Sequence, residues 1–266
     1  MPAFNAGTKA DVEKSFPGLT DPSFAFFRDL AENNNTAWFD RNRERYERDV
    51  KQVFQSLLTE LEPSLLDLNP HFETAGKVNR NFSRINRDIR FRKDKSPYNL
   101  NYYLHIFDRR RDRQADGRLY VGLSAECLTV GFATYAAWSR RGSSALETVF
   151  RKHLPRERTL FQELQDRVVR AGRYETYWHR NEKGEWALHP GLPRHYQDWE
   201  SLHAWVVRKV FPAGLPSLSK PAFADRIRRI FTQLYPLYVF TSLDGARWRQ
   251  ELNKRFDAKS STFPRG

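Results

Sequence analysis

Cysteine and methionine are almost missing, each occurring once in 266 residues. One cysteine, Cys127, makes no intramolecular disulfide and supplies no thiolate zinc site. It stands between two apolar stretches, Leu119–Ala125 and Leu128–Ala133. Free cysteines are mostly core residues, so it is read as a strand residue rather than a nucleophile. Long apolar runs are also lacking. No stretch approaches the roughly 18 apolar residues of a membrane span, and Met1–Lys14 holds no apolar segment of signal-peptide length. The expectation is a cytoplasmic protein with no membrane partner. Familiar catalytic signatures are absent too: there is no GxSxG, no GxxxxGK[ST] and no GxGxxG opening a helix after a strand. Four histidines, His179, His189, His195 and His203, share one segment without the spacing of paired metal ligands. Neither a metal nor a cofactor is expected.

What the chain has is aromatic and basic material. Phe 20, Tyr 11 and Trp 7 supply a core of rigid rings. The net charge is +13, which favours acidic partners such as nucleic acid or phosphate-bearing small molecules. The charge is local: residues 80–118 hold twelve Lys/Arg against five Asp, a net +7.

Periodicity places the elements. Residues 1–20 read as a flexible lead-in, 21–254 as one domain and 255–266 as a frayed tail. Asp21-Pro22 starts a short helix burying Phe24, Phe27 and Leu30. Asn33-Asn34-Asn35 breaks it, and Thr36 is the expected cap of the next. Tyr46, Val50, Val53, Phe54, Leu57, Leu58 and Leu61 form one stripe at helical period. Tyr103–Phe107, Leu119–Ala125 and Leu128–Thr134 read as antiparallel strands. Leu160, Phe161, Leu164 and Val168 form a helical face ended by Gly172. Residues 173–197 read as irregular, and Asp198 as the cap of a helix through Trp199, Leu202, Trp205 and Val206. A last stripe runs from Phe223 to Leu234. The predicted fold is α+β: a central antiparallel sheet of three or more strands packed by amphipathic helices.

Asn33-Asn34-Asn35 followed by Trp38-Phe39, and the segment Arg84-Ile85-Asn86-Arg87-Asp88-Ile89-Arg90-Phe91-Arg92-Lys93-Asp94-Lys95-Ser96-Pro97-Tyr98, resemble the bacterial family of unknown function DUF2461. A weaker echo lies at Pro193-Arg194-His195-Tyr196 and Lys209-Val210-Phe211. The resemblance spans roughly residues 22–240. It implies an α+β fold and carries no activity, since none is assigned to the family.

The residues must then speak for function. Arg84, Arg87, Arg90 and Lys95 are candidate anion ligands, because guanidinium forks grip phosphate or carboxylate at two points. Asp88, Asp94 and Tyr98 are candidate supports that orient them. Arg109-Arg110-Arg111-Asp112-Arg113 reads as a solvated loop tip. Tyr174–Trp205 interleaves aromatic residues with Arg173, Arg180, Lys183 and Arg194. That mixture suits base stacking on single-stranded nucleic acid and equally suits a core under a loop. Three readings stay open: a binding protein for a phosphate-bearing ligand, including nucleic acid; an enzyme acting on a small anion at the same motif; and a structural or protein-interaction role with the arginines in internal ion pairs. The first leads.

Overall fold

A computed structural model describes residues 15–90, 93–111, 117–135, 138–139, 142–143, 149–182, 185–245 and 248–256. Helix α1 (Asp21–Glu32) begins with Pro22 in its first turn and buries Phe24, Phe26, Phe27 and Leu30. Helix α2 (Thr36–Arg41) is capped by Asn35, whose Oδ1 accepts from the Trp38 N–H at 3.0 Å. The expected cap, Thr36, is therefore the first helical residue. Helix α3 (Arg43–Tyr46) runs through a π-helical turn, Glu47–Lys51, into α4 (Gln52–Leu68). The predicted stripe faces inward, with Val50, Phe54, Leu57 and Leu61 fully buried.

Three strands follow where the sequence places them: β1 (Asn101–Ile106), β2 (Arg118–Ser124) and β3 (Cys127–Tyr135). Two-residue strands β4 (Trp138–Ser139) and β5 (Gly142–Ser143) pair with each other. Short helices α5 (Val149–His153) and α6 (Arg158–Leu164) come next, the latter extended by a π-helical turn, Gln165–Arg170. The segment read as irregular is instead a hairpin, β6 (Glu175–Glu182) with β7 (Glu185–Pro190). Helix α7 (Tyr196–Glu200) is one short turn, and β8 (Ala204–Pro212) takes the place of the helix expected through Val206. The reason is burial on both sides: Ala204-Trp205-Val206-Val207 is a continuous buried run, which suits a central strand and cannot be told from a helix stripe by period alone. Asp198 is the third residue of α7, and its carboxylate reaches back to the His195 N–H.

The sheet order is β1-β2-β3-β8-β6-β7, antiparallel throughout. Strand β8 thus lies between two strands from earlier in the chain. Helix α8 (Phe223–Ser242) packs on β2 and β3 and also meets α4, α5 and the last helix, α9 (Trp248–Phe256). It continues past the predicted stripe and through Pro236, with every residue from Leu234 to Ser242 buried. A helix apolar on all sides belongs in the middle of a protein. Phe16 and Leu19 are also buried in this core, so the described end of the expected lead-in, residues 15–20, is packed. Residues 1–14 and 257–266 lie outside the described residues. Among the described residues, no helix is long and apolar enough to cross a membrane.

Candidate functional site

The Arg motif forms an excursion beside the sheet. Two backbone bonds close it, from Arg87 N–H to the Pro97 carbonyl at 2.8 Å and from Asn99 N–H to the Ile85 carbonyl at 2.7 Å. Ile85 and Tyr98 point inward and are buried. Tyr98 stacks on Phe39 with centroids 4.1 Å apart.

Between these anchors the charged residues meet in local pairs. Arg87 binds Asp94 at 2.6 Å. Arg90 grips Asp88 through two nitrogens, at 2.9 and 2.7 Å. Lys95 donates to the Ile89 carbonyl at 3.0 Å, and Arg84 donates to the Asn79 side chain. Hydrogen bonds from Ser96 first, then from Arg87, hold the Asp94 carboxyl well below the usual carboxylate range. The hydrogen bond and charge of Asp88 raise Arg90 further. The two pairs differ in burial: the Arg90 side chain is 75% exposed and the Arg87 side chain 19%. A solvent-exposed pair such as Arg90–Asp88 is screened by water and adds little to stability. Arg84 stands apart from both pairs, and Tyr98 serves as a buried anchor. Phe91 and Arg92 lie outside the described residues.

The described part of the Arg109–Arg113 run is tethered through its backbone, from Arg109 N–H to the His71 carbonyl at 2.9 Å and from Arg111 N–H to the Asp108 carbonyl at 3.1 Å. Arg110 forms a two-point ion pair with Asp108, at 3.0 and 2.7 Å, and the Asp108 side chain is fully buried. Burial pushes that carboxyl up, and the bonds from Arg110 outweigh it, leaving the group below its ordinary value. Residues 112–116 lie outside the described residues.

A different place gathers basic groups around a hollow. A cavity of about 700 Å³ opens between α6 with its π-helical extension and the segment leading into α7. Arg158, Arg170, Arg173 and Arg194 line it, with His195, Gln162 and Gln165, and among the described residues no Asp or Glu does so. Its apolar walls are Phe161, Tyr174, Tyr196 and Trp199. Arg158 lies over the Tyr196 ring, 3.7 Å from its centroid. Arg170 pairs with Asp166. Among the described residues, Arg158, Arg173 and Arg194 have no carboxylate in ion-pair range.

Local backbone chemistry builds this wall. Positions 158, 162, 165 and 169 fall on one helical face. The turn after the helix contains Arg173, held at φ 51, a left-handed conformation normally left to glycine. Lys209 from β8 closes that helix end. Its Nζ donates to the Gly172 and Arg173 carbonyls and lies 4.7 Å from the Tyr174 ring centroid, a cation placed where a helix presents unpaired carbonyls. Burial first, then Arg226 and Arg173, lower the Lys209 ammonium pKa.

The sequence singles out Tyr174, Tyr196, Trp199, Arg173 and Arg194 from this wall. It misses Arg158, Arg170, Gln162 and Gln165. Their only signal is a polar row beside the apolar stripe of α6. Among the described residues, no group of three or more His, Cys, Asp or Glu is placed to hold a metal.

No curated protein matches the chain. A family model described as a conserved hypothetical protein, DUF2461, matches residues 22–240. That span runs from the first turn of α1 almost to the end of α8 and takes in the Arg excursion, the whole sheet and the basic cavity. The Asn33–Asn35 triplet and the Arg84–Tyr98 signature lie within it, and the chain belongs to the DUF2461 family.

Proposed function

We propose that this protein binds a phosphate-bearing ligand of nucleotide size in the basic cavity beside α6. The observation that carries the reading is one cavity lined by four arginines and no carboxylate, three of those arginines lacking an acidic partner among the described residues. Guanidinium groups left without internal partners are available to an external oxyanion. The volume, about 700 Å³, falls within the range of small-molecule sites. Tyr196, backed by the buried rings of Trp199 and Phe161, gives the wall an aromatic character suited to a base. A free nucleotide and the end of a single strand present the same chemistry to such a site.

The Arg84–Lys95 excursion remains a second reading, favoured by the exposure of Arg90 and its pairing to an equally exposed Asp88. An arriving phosphate there would compete with Asp88 and Asp94 for the same forks.

One experiment separates these. Binding of labelled single- and double-stranded DNA and RNA, and of free nucleotides, is measured at two salt concentrations. Wild type is compared with an Arg158→Ala, Arg194→Ala variant and an Arg87→Ala, Arg90→Ala variant, each verified as folded. Salt-sensitive binding lost in the first variant and kept in the second supports the cavity. The reverse pattern moves the ligand to the excursion. Binding that both variants retain, or no binding by wild type, overturns the phosphate reading. Competition by free nucleotide against the single strand identifies which source the cavity prefers.

A further inference from the structure

The sheet has a second built hollow on the face away from α8. Successive strand residues point to opposite faces, so Thr176, on the wall of the basic cavity, and Tyr177, its neighbour on β6, serve different sides. On the Tyr177 side, Tyr120, Ala133 and Val206 form a small buried cluster separate from the main core, with Tyr103, Tyr135 and Tyr177 packed around it.

Strand register explains the depression. One row across the sheet reads His105, Tyr120, Gly131, Arg208, Glu175. The row beside it reads Tyr103, Gly122, Thr129. Each row thus has a glycine between longer side chains, Gly131 between Tyr120 and Arg208 in the first, and the longer neighbours stand over a position with no side chain of its own. At Gly122 the Tyr103 ring already lies where a side chain would begin, 2.5 Å from an added Cβ. The result is a cavity of about 290 Å³ walled by Tyr103, Tyr120, Tyr135 and Tyr177, with Arg118 and Arg208 at its sides and, among the described residues, no Asp or Glu lining it.

Its charged groups are both guanidinium donors. Arg118 lies over the Tyr135 ring at 5.1 Å and Arg208 over the Tyr177 ring at 5.0 Å. Arg208 gives one terminal nitrogen to Glu175 at 2.7 Å, while its Nε is buried without a hydrogen bond. Buried polar groups left unmade are costly and call for an explanation. Burial holds Tyr103, Tyr120, Tyr135 and Tyr177 above the ordinary phenol range, so all four keep their protons at neutral pH. Flat apolar walls with neutral hydroxyls and two guanidinium groups fit a ligand that is itself flat, apolar in its body and negative at one end.

We infer that this tyrosine-walled hollow binds a small planar organic acid, an aromatic or conjugated carboxylate, with Arg208 and Arg118 taking the carboxylate and the tyrosine rings its body. This second site does not depend on the phosphate reading of the other face.

The test is calorimetric titration of the full chain with benzoate, 4-hydroxybenzoate, cyclohexanecarboxylate and inorganic phosphate. The expected result is binding of the two aromatic acids at about 1 mM or tighter, with the saturated ring and phosphate at least about tenfold weaker. Arg208→Gln weakens the aromatic acids by about tenfold or more, and Arg158→Ala leaves them unchanged. Tyr135→Phe, which keeps the ring and removes one hydroxyl, weakens 4-hydroxybenzoate and covers the case in which Arg208→Gln fails to fold. No binding of either aromatic acid overturns the assignment. So does equal affinity for the saturated ring, or for phosphate. So does aromatic-acid affinity that a folded Arg208→Gln and Tyr135→Phe both retain.

Discussion

Asn34 holds Tyr98 by both of its backbone groups. The Asn34 Nδ2 donates to the Tyr98 carbonyl at 3.0 Å, and its Oδ1 accepts from the Tyr98 N–H at 3.0 Å. One side-chain amide thereby acts as a strand partner for a residue 64 positions away. It ties the loop after α1 to the end of the Arg excursion, while Phe39 stacks on the Tyr98 ring from the next helix.

This clasp yields the first prediction. Asn34→Ala leaves two backbone groups of a buried residue without partners, at about 1–3 kcal/mol for each group fully cut off from water. The expected loss is about 2–3 kcal/mol in urea unfolding. Asn34→Asp keeps the acceptor and loses the donor, and should fall between. An Asn34→Ala variant as stable as wild type would remove the clasp from the account of the fold.

Acid should destabilise the protein through Asp108 and Glu73. Both carboxyls are buried and both lie below their ordinary values. Burial raises each and is outweighed, at Asp108 by Arg110 and at Glu73 by the Ala75 N–H and Arg80. A depressed folded pKa means that the unfolded chain binds more protons. Stability is therefore full above the unfolded values, about 3.9 for Asp and 4.3 for Glu, and drains as pH falls through the folded ones. Urea midpoints measured downward from about pH 6 should drop mainly below about pH 4. Asp108→Asn should be less stable at neutral pH and show a flatter acid limb.

Gly131→Ala should be strongly destabilising. An added Cβ would collide with the Val207 carbonyl oxygen and lie 2.9 Å from the Arg208 Cβ. Backbone of a paired strand cannot rotate away as a side-chain tip does, so β3 and β8 would have to part. Overpacking of this sort costs about 1–3 kcal/mol, and the upper end is expected here. Thermal and urea unfolding check it.

Arg173→Gly should separate stability from binding. Glycine relieves a left-handed residue of roughly 1 kcal/mol of strain and returns a comparable amount as unfolded-state entropy. Stability should stay within about 1 kcal/mol of wild type or rise slightly. Affinity for a phosphate-bearing ligand should fall, because a cavity arginine is gone. A variant that binds as wild type does would take Arg173 out of the site.

The Arg158→Ala, Arg194→Ala variant should lower the salt dependence of binding as well as the affinity. Each arginine that neutralises a phosphate contributes about 0.7 to the slope of log K against log salt for single strands. Losing both should flatten that slope by about 1.4. Weaker binding at an unchanged slope would mean that these arginines act through packing rather than phosphate contact.

Local elements whose period and caps agree are readable from the chain alone. Helix α1 follows from Asp21-Pro22 and its phenylalanines, and α4 from a stripe repeating over several turns. Strands β1 to β3 follow from alternating runs bounded by turn residues. The Arg84–Tyr98 signature was also legible as a motif, because its residue types stand at fixed spacing.

The remaining features come from packing between distant segments. Ala204–Val207 is apolar on every position, and such a run becomes strand or helix according to what surrounds it. Here β3 and β6 flank it and make it the middle of a sheet. The motif arginines likewise read the same in sequence whether they face a ligand or each other. The loop conformation sets their pairing with Asp88 and Asp94. The two cavities join residues from α6, α7 and β6 on one face, and from β1, β2, β3, β6 and β8 on the other. No spacing rule links Arg158 to Arg194 or Tyr103 to Arg208. Strand register and helix packing bring them together, and these are set by the burial of the whole core at once.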